Sequence, residues 1–363
     1  MPLPPLHMVD PGRFDRADVL KRLNGASRAL AELKGVAASI PNQNILINTL
    51  TLQEARDSSA IENIVTTQDD LYREDNAADA TGTAVKEVLR YRQALQAGFA
   101  QTRASGLLTL NTILDIQQQL ECNRAGLRKL PGTALRDGDG RLVYEPPQDA
   151  NEVARLMGEL ERFIHDEPAF QADPLVKMAL IHHQFESIHP FYDGNGRTGR
   201  IINVLYLVKE GLLDIPVLYL SRHMVRTKPD YYRLLQAVRE TDAWEDWVLY
   251  MLEAVANTAR ETIRTIQAIR TLLQQTKQRV RDGYRFYSQD LINNLFNHPY
   301  TRVEFVQRDL GVSRITATRY LDKLAEDGVL EKLRIGRNNY YVNRPLFGLL
   351  GRDQLADEGA RPQ

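Results

Sequence analysis

Two apolar helical stretches that flank a short glycine-rich segment are the feature that most constrains the fold of this chain. Before the segment, apolar residues recur at helical spacing in PLVKMALIHHQFESIH. After it, the apolar pattern resumes in RIINVLYLVKEGLL. The segment HPFYDGNGRTGR, residues 189–200, joins the two stretches. The pattern predicts two packed helices joined by a tight loop, with the glycines at the N-terminus of the second helix.

The start of that second helix is predicted to bind an anion. Unpaired main-chain N–H groups and the positive end of the helix dipole both favour negative charge there. Gly194 and Gly196 allow the main chain to approach a phosphate closely. Arg197 and Arg200 lie three residues apart, hence near each other on the first turn, where they can bind further phosphate groups.

Two other side chains of the loop add chemistry to the anion site. Asp193 is a carboxylate suited to holding Mg²⁺ against phosphates. His189 titrates in the range that lets it accept a proton from a hydroxyl group. A capped helix start with a buried histidine would explain either residue alone. It does not readily explain a base, a carboxylate, two glycines and two arginines within one short loop.

Two other interpretations of this region are disfavoured. GNGRTG matches the dinucleotide-binding pattern G-x-G-x-x-G, with Asp214 about twenty residues further on, but that pattern requires a preceding strand and here a helix precedes it. A metal site at His182, His183 and His189 is the second interpretation. Adjacent histidines diverge on a helix and no H-E-x-x-H spacing exists, so His182 and His183 are predicted to have structural roles.

The segment HPFYDGNGRTGR matches the Fic motif, H-x-F-x-D/E-G-N-G-R-x-x-R, at every fixed position. SSAIEN, the hairpin before YEPP and YLSRHMVRTKPDYYRLL are similar to further parts of the same family, so the similarity extends from about residue 40 to 260. The chain therefore resembles the Fic family of protein adenylyltransferases. The resemblance implies transfer of AMP from ATP to a Ser, Thr or Tyr hydroxyl of a target protein, with release of pyrophosphate.

The resemblance also implies roles for individual residues. His189 would deprotonate the target hydroxyl, Asp193 would hold Mg²⁺, and Phe191 would anchor the loop in the core. Gly196 favours attack at the α-phosphate, because the kinase-like branch of the family carries lysine at this position. Tyr231 would line the adenine pocket together with its neighbour Tyr232, and core packing is the alternative for both. The implied ATP- and phosphate-binding residues of the loop are Gly194, Asn195, Gly196, Arg197, Thr198, Gly199 and Arg200.

The segment SSAIEN fits the family's inhibitory pattern, S/T-x-x-x-E-G/N, through Ser58, Glu62 and Asn63. On a helix, Ser58 and Glu62 share a face one turn apart. The implied mechanism is that Glu62 pairs with Arg200 and withholds it from ATP, which would be autoinhibition within one chain. In some related enzymes the same glutamate supports removal of AMP, so Glu62 could serve both directions.

A β-hairpin is predicted at Leu135–Tyr144, where DGDG supplies the turn and Leu142, Val143 and Tyr144 form a short extended arm. In the Fic family such a flap pairs with the target peptide by strand addition, near the histidine. An ordinary surface hairpin is the alternative.

From Ser288 to about Asn343 the predicted order is helix, helix, turn, helix and two short strands, which is typical of a winged helix. Val303–Leu310 would be one helix, Gly311 the turn and Ser313 the cap of the next helix. Such a module binds DNA, docks proteins or forms dimers, and acidic residues nearby weaken the DNA interpretation. The candidate DNA contacts are Arg314, Thr316, Thr318, Arg319, Arg334 and Arg337.

Composition restricts the remaining choices. The chain has 363 residues and a formal net charge of -1, so a polyanion partner would need a local basic patch. Its one cysteine, Cys122, excludes an internal disulfide framework. No apolar run reaches membrane-spanning length and the N-terminus lacks a leader pattern, so we expect a cytoplasmic protein without membrane contact.

The predicted fold is mainly α: a Fic helical core with a β-hairpin flap, an N-terminal helical region and a C-terminal winged helix-turn-helix domain. The expected bounds are 1–100 for the N-terminal region with the inhibitory helix, 101–285 for the catalytic core, 286–350 for the winged helix and 351–363 for a flexible tail. A homodimer is left open. The alternatives in function are a DNA-binding regulator that uses the Fic core as a nucleotide sensor, and transfer from another donor such as UTP or a choline nucleotide.

Overall fold

The computed structural model describes residues 3–74, 82–165, 170–335 and 338–358. Over these residues the fold is mainly helical, as predicted, with two short 3-10 helices at Leu6–Met8 and Pro11–Phe14. The α-helices are α1 Ala17–Ala38, α2 Asn44–Ile61, α3 Gln68–Glu74, α4 Thr83–Ser105, α5 Leu110–Glu121, α6 Ala150–His165, α7 Pro174–Ile188, α8 Asn195–Lys209, α9 Ser221–Arg226, α10 Lys228–Thr241, α11 Trp244–Gly283, α12 Gln289–Asn297, α13 Val303–Leu310, α14 Arg314–Glu326 and α15 Arg344–Glu358. The strands are β1 Leu135–Arg136, β2 Leu142–Tyr144, β3 Tyr300–Thr301, β4 Glu331–Ile335 and β5 Asn338–Val342.

Helices α7 and α8 form the centre of the molecule, as the two apolar stretches predict. Every residue of α7 from Leu175 to Ile188 is buried, polar ones included. A helix that is buried on all sides must be covered by neighbours, and α4, α5, α6 and α11 pack around this pair. The loop between α7 and α8 is therefore held on a rigid support.

Helix α2 brings the N-terminal region to this centre. It packs against α4 and α9 and also contacts α8. The helix ends at Ile61, and Asn63 follows it with a left-handed φ of 62°. The chain therefore turns away from α2 directly after Glu62.

The segment after α11 folds into the element order predicted for a winged helix. The helix predicted at Val303–Leu310 has those bounds in the structure, and Gly311 follows it with a φ of 66°. Ser313 caps α14 by accepting the N–H of Thr316 at 3.2 Å. Residues 336 and 337, which include the predicted DNA contact Arg337, lie outside the described residues.

The prediction of two strands in this segment was incomplete. A third strand, β3, pairs with β5 between Tyr300 and Val342, so that the antiparallel order is β3-β5-β4. A strand of two residues has almost no alternating pattern in the sequence, and only its pairing partner defines it.

The C-terminal segment also packs on the N-terminal helices. The ring of Tyr72 stacks on Tyr300, with centroids 6.2 Å apart, and meets Phe347 edge-on at 5.9 Å. The boundary expected at residue 100 falls inside α4, and the expected tail overlaps α15, while residues 359–363 lie outside the described part of the chain. Within the described residues, none of the helices combines the length and the apolar character that a membrane span requires.

Candidate active site

The loop between α7 and α8 starts and ends in left-handed backbone conformations. His189 ends α7 with a φ of 48°, and Gly194 precedes α8 with a φ of 77°. Glycine adopts this conformation freely, whereas a histidine there is uncommon and needs support from its surroundings. The N–H of His189 still donates to the carbonyl of Phe185 at 3.0 Å, so the histidine closes the last turn of α7.

Asn195 holds the loop in its folded shape. Its Oδ1 accepts the N–H of Phe191 and its Nδ2 donates to the carbonyl of Phe191, both at 2.9 Å. Phe191 is fully buried, as predicted for the anchor of the loop. Both polar side-chain atoms of Asn195 are thus engaged by the loop itself.

The C-terminal end of α7 is capped by side chains from outside the helix. Arg128 Nε donates to the carbonyl of His189 at 2.8 Å, and its Nη2 donates to the carbonyl of Ile188 at 3.3 Å. The hydroxyl of Tyr144, at the end of β2, donates to the carbonyl of Ser187 at 2.9 Å. The last carbonyls of a helix have no hydrogen-bond partner within the helix. Arg128 and Tyr144 supply the missing donors at the end of α7, where His189 lies.

The predicted pair between Glu62 and Arg200 is present. Arg200 Nη2 lies 2.8 Å from Oε1 of Glu62, and Ser58 contributes its hydroxyl, at 2.7 Å from Arg200 Nε, and its carbonyl, at 3.0 Å from Nη2. Desolvation works against ionisation of Glu62, but the charge and hydrogen bond of Arg200 hold the pKa of its carboxyl below the usual range. The carboxylate is therefore ionised and paired at neutral pH.

Arg197 is paired with two carboxylates that sequence reasoning did not single out. Its guanidinium lies 3.2 Å from Glu87 of α4 and 2.8 Å from Glu121 of α5. Burial raises the pKa of Glu121. Both arginines in the first turns of α8 are thus paired with acidic residues from other parts of the chain.

Gly196 lies directly beside the Glu62 carboxylate. A Cβ atom at residue 196 would overlap Oε1 of Glu62 and would stand 2.9 Å from Arg200 Nη1. The absence of a side chain at this position is what lets Glu62 reach Arg200.

His189 is half-buried, and its Nδ1 finds no hydrogen-bond partner among the described residues. Burial, together with the cations of Arg128 and Arg239, lowers the pKa of His189 to about 4. The imidazole is therefore neutral at physiological pH, which is the form that can accept a proton.

Comparison with known proteins agrees with this geometry. Three family models match the chain: Fic/DOC family N-terminal over residues 20–100, Fic/DOC family over 107–207, and the C-terminal domain of SoFic-like protein adenylyltransferase over 272–346. The chain belongs to the Fic/DOC family. The Fic/DOC match at 107–207 includes the hairpin of β1 and β2 and the whole loop between α7 and α8.

Relatives of this Fic chain include two curated mosquito proteins named protein adenylyltransferase Fic. The Aedes aegypti protein is 27% identical over 135 residues, which are 37% of this chain and 25% of that protein. The Culex quinquefasciatus protein is 31% identical over 139 residues, which are 38% of this chain and 27% of that protein. The matched region thus spans about a quarter of the length of these relatives.

Among solved structures, a Fic family protein from Desulfovibrio desulfuricans G20 has the same fold. Its TM-score is 0.56 at 22% sequence identity, and the alignment covers 88% of this chain and 95% of that chain. At this identity the likeness establishes the fold alone.

The two tyrosines expected at the adenine pocket of this Fic chain have different environments. Tyr231 is only 2% exposed, and its hydroxyl lies 2.9 Å from Nε2 of His182. Tyr232 is 46% exposed, with its ring 5.1 Å from that of Tyr231. Of the two tyrosines, Tyr232 is the one that a ligand can reach.

The adjacent histidines have the structural positions predicted for them. His182 Nδ1 lies 3.1 Å from Nδ2 of Asn203, and His183 Nε2 lies 3.2 Å from the carbonyl of Leu235. Burial lowers the pKa of His182 to about 3, so this ring stays neutral in the core. The part of the chain that the structure describes contains no group of three His, Cys, Asp or Glu residues that could hold a metal ion.

Thr198 and Gly199 lie in the packing between helices rather than at an open surface. Thr198 is fully buried. A Cβ atom on Gly199 would lie 2.6 Å from Oε1 of Glu186 and 3.1 Å from the ring of Phe185, so Gly199 faces α7. Close contact of α7 and α8 depends on the absence of a side chain at Gly199.

The hairpin predicted as a flap is present as β1 and β2, joined antiparallel with Leu135 opposite Tyr144. Leu142 and Val143 are exposed, whereas Tyr144 turns inward under the guanidinium of Arg239, 4.0 Å from its ring centroid. The two-stranded hairpin has exposed apolar side chains on the strand that leads toward His189.

Arg128, Glu87 and Glu121 are the site residues that the sequence did not reveal. Each acts on the loop from a distant position in the chain: Arg128 is 61 residues from His189, and Glu121 is 76 residues from Arg197. Helical periodicity reports only which residues share a face of one helix, so contacts between distant helices leave no such signal.

Proposed function

We propose that this chain transfers AMP from ATP to a Ser, Thr or Tyr hydroxyl of a protein. The observation that carries the proposal is the position of His189, a neutral base at one end of a short loop whose other end is the start of α8. The hydroxyl oxygen attacks the α-phosphorus, the bond from the α-phosphorus to the bridging oxygen breaks, and pyrophosphate leaves. His189 takes the hydroxyl proton.

The phosphates would bind at the start of α8. Main-chain N–H groups in the first turn of a helix have no acceptor within it, and together with the helix dipole they form an anion site. Because the side chain of Asn195 is engaged with Phe191, any phosphate contact of Asn195 falls to its main-chain N–H. Arg197 and Arg200 would bind the outer phosphates after exchanging their carboxylate partners for ATP.

Asp193 is the residue that would hold Mg²⁺. Its carboxylate is exposed beside the start of α8, with Oδ1 accepting the N–H of Gly194 at 2.7 Å. Magnesium is commonly bound by one or two carboxylates together with substrate phosphates, so a single carboxylate at this place fits the ion. When bound, Mg²⁺ neutralises charge on the phosphates and on the leaving pyrophosphate.

Glu62 would keep the enzyme inhibited. The pair with Glu62 occupies the guanidinium of Arg200, so ATP has to displace a carboxylate to reach it. In the reverse direction, the same carboxylate could orient a water molecule for removal of AMP.

The target protein and the adenine would occupy neighbouring surfaces. A target segment would add as a strand to β2, where Leu142 and Val143 are exposed. We assign the adenine contact to Tyr232, because it is the accessible member of the tyrosine pair, and core packing to Tyr231.

The proposal is tested by labelling with ATP that carries ³²P at either the α or the γ position. Three forms are compared: the natural chain, Glu62→Gly, and Glu62→Gly combined with His189→Ala. We expect the α label to enter protein most strongly with Glu62→Gly and to be lost with His189→Ala. Incorporation of the γ label would instead indicate phosphorylation, and incorporation only from α-labelled UTP would indicate another donor.

A second candidate function is DNA binding by a regulator that uses the Fic core as a nucleotide sensor. It is favoured by the outward face of α14, where Ile315 is 83% exposed next to Arg314, with Thr318 and Arg319 further along the helix. The acidic Glu304 lies 3.6 Å from Arg314 and weakens this face as a DNA surface. A form with His189→Ala that keeps its full biological effect, and whose affinity for duplex DNA changes with ATP, would favour the regulator.

A further inference from the structure

Arg128 is a buried arginine whose side chain bonds only to main-chain carbonyls among the described residues. It is 1% exposed, and none of the described carboxylates forms an ion pair with it. Its Nε and Nη2 donate to the carbonyls of His189 and Ile188, and Nη2 also donates to the carbonyl of Pro147, just beyond β2. Its own N–H donates to the carbonyl of Pro190 at 2.9 Å.

These hydrogen bonds have two effects at His189: they support its left-handed backbone conformation, and they place a cation at the C-terminal end of α7. The left-handed conformation of a histidine persists only where neighbouring contacts enforce it, and Arg128 contacts the carbonyls on both sides of that residue. The end of α7 also carries the negative pole of the helix dipole, where a cation is favourable. A single side chain therefore fixes the main chain of the base and neutralises the end of its helix.

The same side chain connects His189 with the flap. Pro147 follows β2 by three residues, and Tyr144 at the end of β2 caps the adjacent carbonyl of Ser187. A shift of the flap would therefore move the acceptors of Arg128, and through them the main chain of His189.

Several charged groups face the His189 ring from the elements packed around it. Burial, Arg128 and Arg239 lower its pKa, while the main chain of Glu186 and the carboxylate of Glu62 raise it. Since burial and Arg128 act in the same direction, loss of the Arg128 cation raises the pKa of His189 toward its ordinary value.

We propose that Arg128 is a positioning residue for His189, which holds the base in its left-handed backbone conformation and ties its placement to the flap. This inference rests on the proposed function, because His189 is there the base of AMP transfer. Arg128 does not itself touch the reacting atoms.

The test compares Arg128→Met and Arg128→Lys in the full chain with Glu62→Gly as the parent. Arg124→Met, which replaces an exposed arginine of the same segment, is the matched control. For Arg128→Met we expect kcat to fall at least about tenfold while KM for ATP changes less than about threefold, because alignment of the base is lost but ATP binding remains. The acidic limb of the kcat–pH profile moves to higher pH.

Arg128→Lys keeps the cation but cannot make the same set of bonds. It should therefore retain the position of the acidic limb and lose part of kcat. A merely structural role would lower kcat for both variants without moving the limb in either. That result, or a kcat of Arg128→Met equal to that of the control, would overturn the proposal.

A direct NMR titration of His189 gives a readout that does not depend on AMP transfer. His189→Ala assigns the resonance, and circular dichroism checks that each variant is folded. An upward shift of the titration midpoint in Arg128→Met is expected, and an unchanged midpoint contradicts the proposal. If the Glu62→Gly parent incorporates no α label from any nucleotide, the proposed function fails, while the titration still tests whether Arg128 acts on His189.

Discussion

Arg200 Nη2 and Glu62 Oε1 lie 2.8 Å apart, although 138 residues separate them in the chain. The side chain of Arg200 is 1% exposed, whereas that of Glu62 is 36% exposed. The arginine is therefore the fixed member of the pair and the glutamate is the member with room to leave. This asymmetry fits the inhibitory contact proposed above, in which Arg200 would stay in place for ATP when Glu62 moves away.

Removing the Glu62 carboxylate should strengthen ATP binding. In Glu62→Gly, Arg200 no longer has to exchange a carboxylate for a phosphate, so we expect ATP affinity to rise by about tenfold or more. Isothermal titration calorimetry in the presence of Mg²⁺ measures this. Glu62→Gln keeps the size of the side chain without its charge and should give most of the gain; equal affinity of all three forms would show that the pair does not restrain ATP.

Ser58 should stabilise the fold through its hydrogen bond with Arg200, and Ser59 supplies the control. Ser58 Oγ accepts from Arg200 Nε at 2.7 Å, whereas the equally buried Ser59 has a hydroxyl without a partner among the described residues. Ser58→Ala should lower the free energy of unfolding by about 1–3 kcal/mol, because it leaves a buried charged donor without an acceptor. Ser59→Ala should cost less, and urea denaturation compares them. A cost for Ser59→Ala equal to that for Ser58→Ala would remove the special role of Ser58.

The pH dependence of AMP transfer should differ between free enzyme and ATP complex. Burial, with help from Arg128 and Arg239, lowers the pKa of His189 to about 4 without ATP. A base works when unprotonated, so activity is present above this pKa and is lost as pH falls through it. Phosphates next to the ring favour the imidazolium and raise the pKa, so the acidic limb of kcat should lie at higher pH than that of kcat/KM. Steady-state rates of Glu62→Gly from pH 4 to 8 test this, and coincident limbs would contradict it.

Gly199 should be intolerant of even one added methyl group. A Cβ there would lie 2.6 Å from Glu186 Oε1 and 3.1 Å from the Phe185 ring, where α8 packs against the buried helix α7. We expect Gly199→Ala to destabilise the fold by about 1–3 kcal/mol despite the better helix propensity of alanine. Gly158→Ala in α6 meets nothing within 4 Å and should be neutral or stabilising. Thermal unfolding of both variants measures the difference. Equal melting temperatures would show that α7 and α8 can shift to accommodate the added methyl group.

Much of the fold was predictable because local patterns specify it. The apolar periodicity on both sides of residues 189–200 predicted α7 and α8, and the glycines predicted a tight loop at the start of α8. In the C-terminal segment, Ser313 and Gly311 marked the start of one helix and the end of another, and both were found in those places. Caps and turns depend on residues within a few positions of each other, so the sequence contains them directly.

The site was predictable only in part. His189, the glycines and the two arginines lie within the segment 189–200, and Glu62 was recognised through its pattern with Ser58. The partners of Arg197 and the cap of α7 by Arg128 were missed, and the choice between adenine pocket and core for Tyr231 was left open. Each of these contacts depends on which helices pack against each other. Hydrophobic periodicity describes one helix at a time, so it does not indicate contacts between residues far apart in the sequence.

The sequence by itself therefore determined two buried helices joined by a glycine-rich loop, with His189 at its first residue and two arginines just after it. Tertiary structure decided which charges contact the two arginines. Packing of α2 beside α8 places the Glu62 carboxylate next to Gly196 and on Arg200. Packing of α4 and α5 places the carboxylates of Glu87 and Glu121 on Arg197. The physical reason is that a local motif fixes the identity and spacing of charges along the chain. Which of those charges meet in space, and how far burial changes their pKa, depends on helix packing.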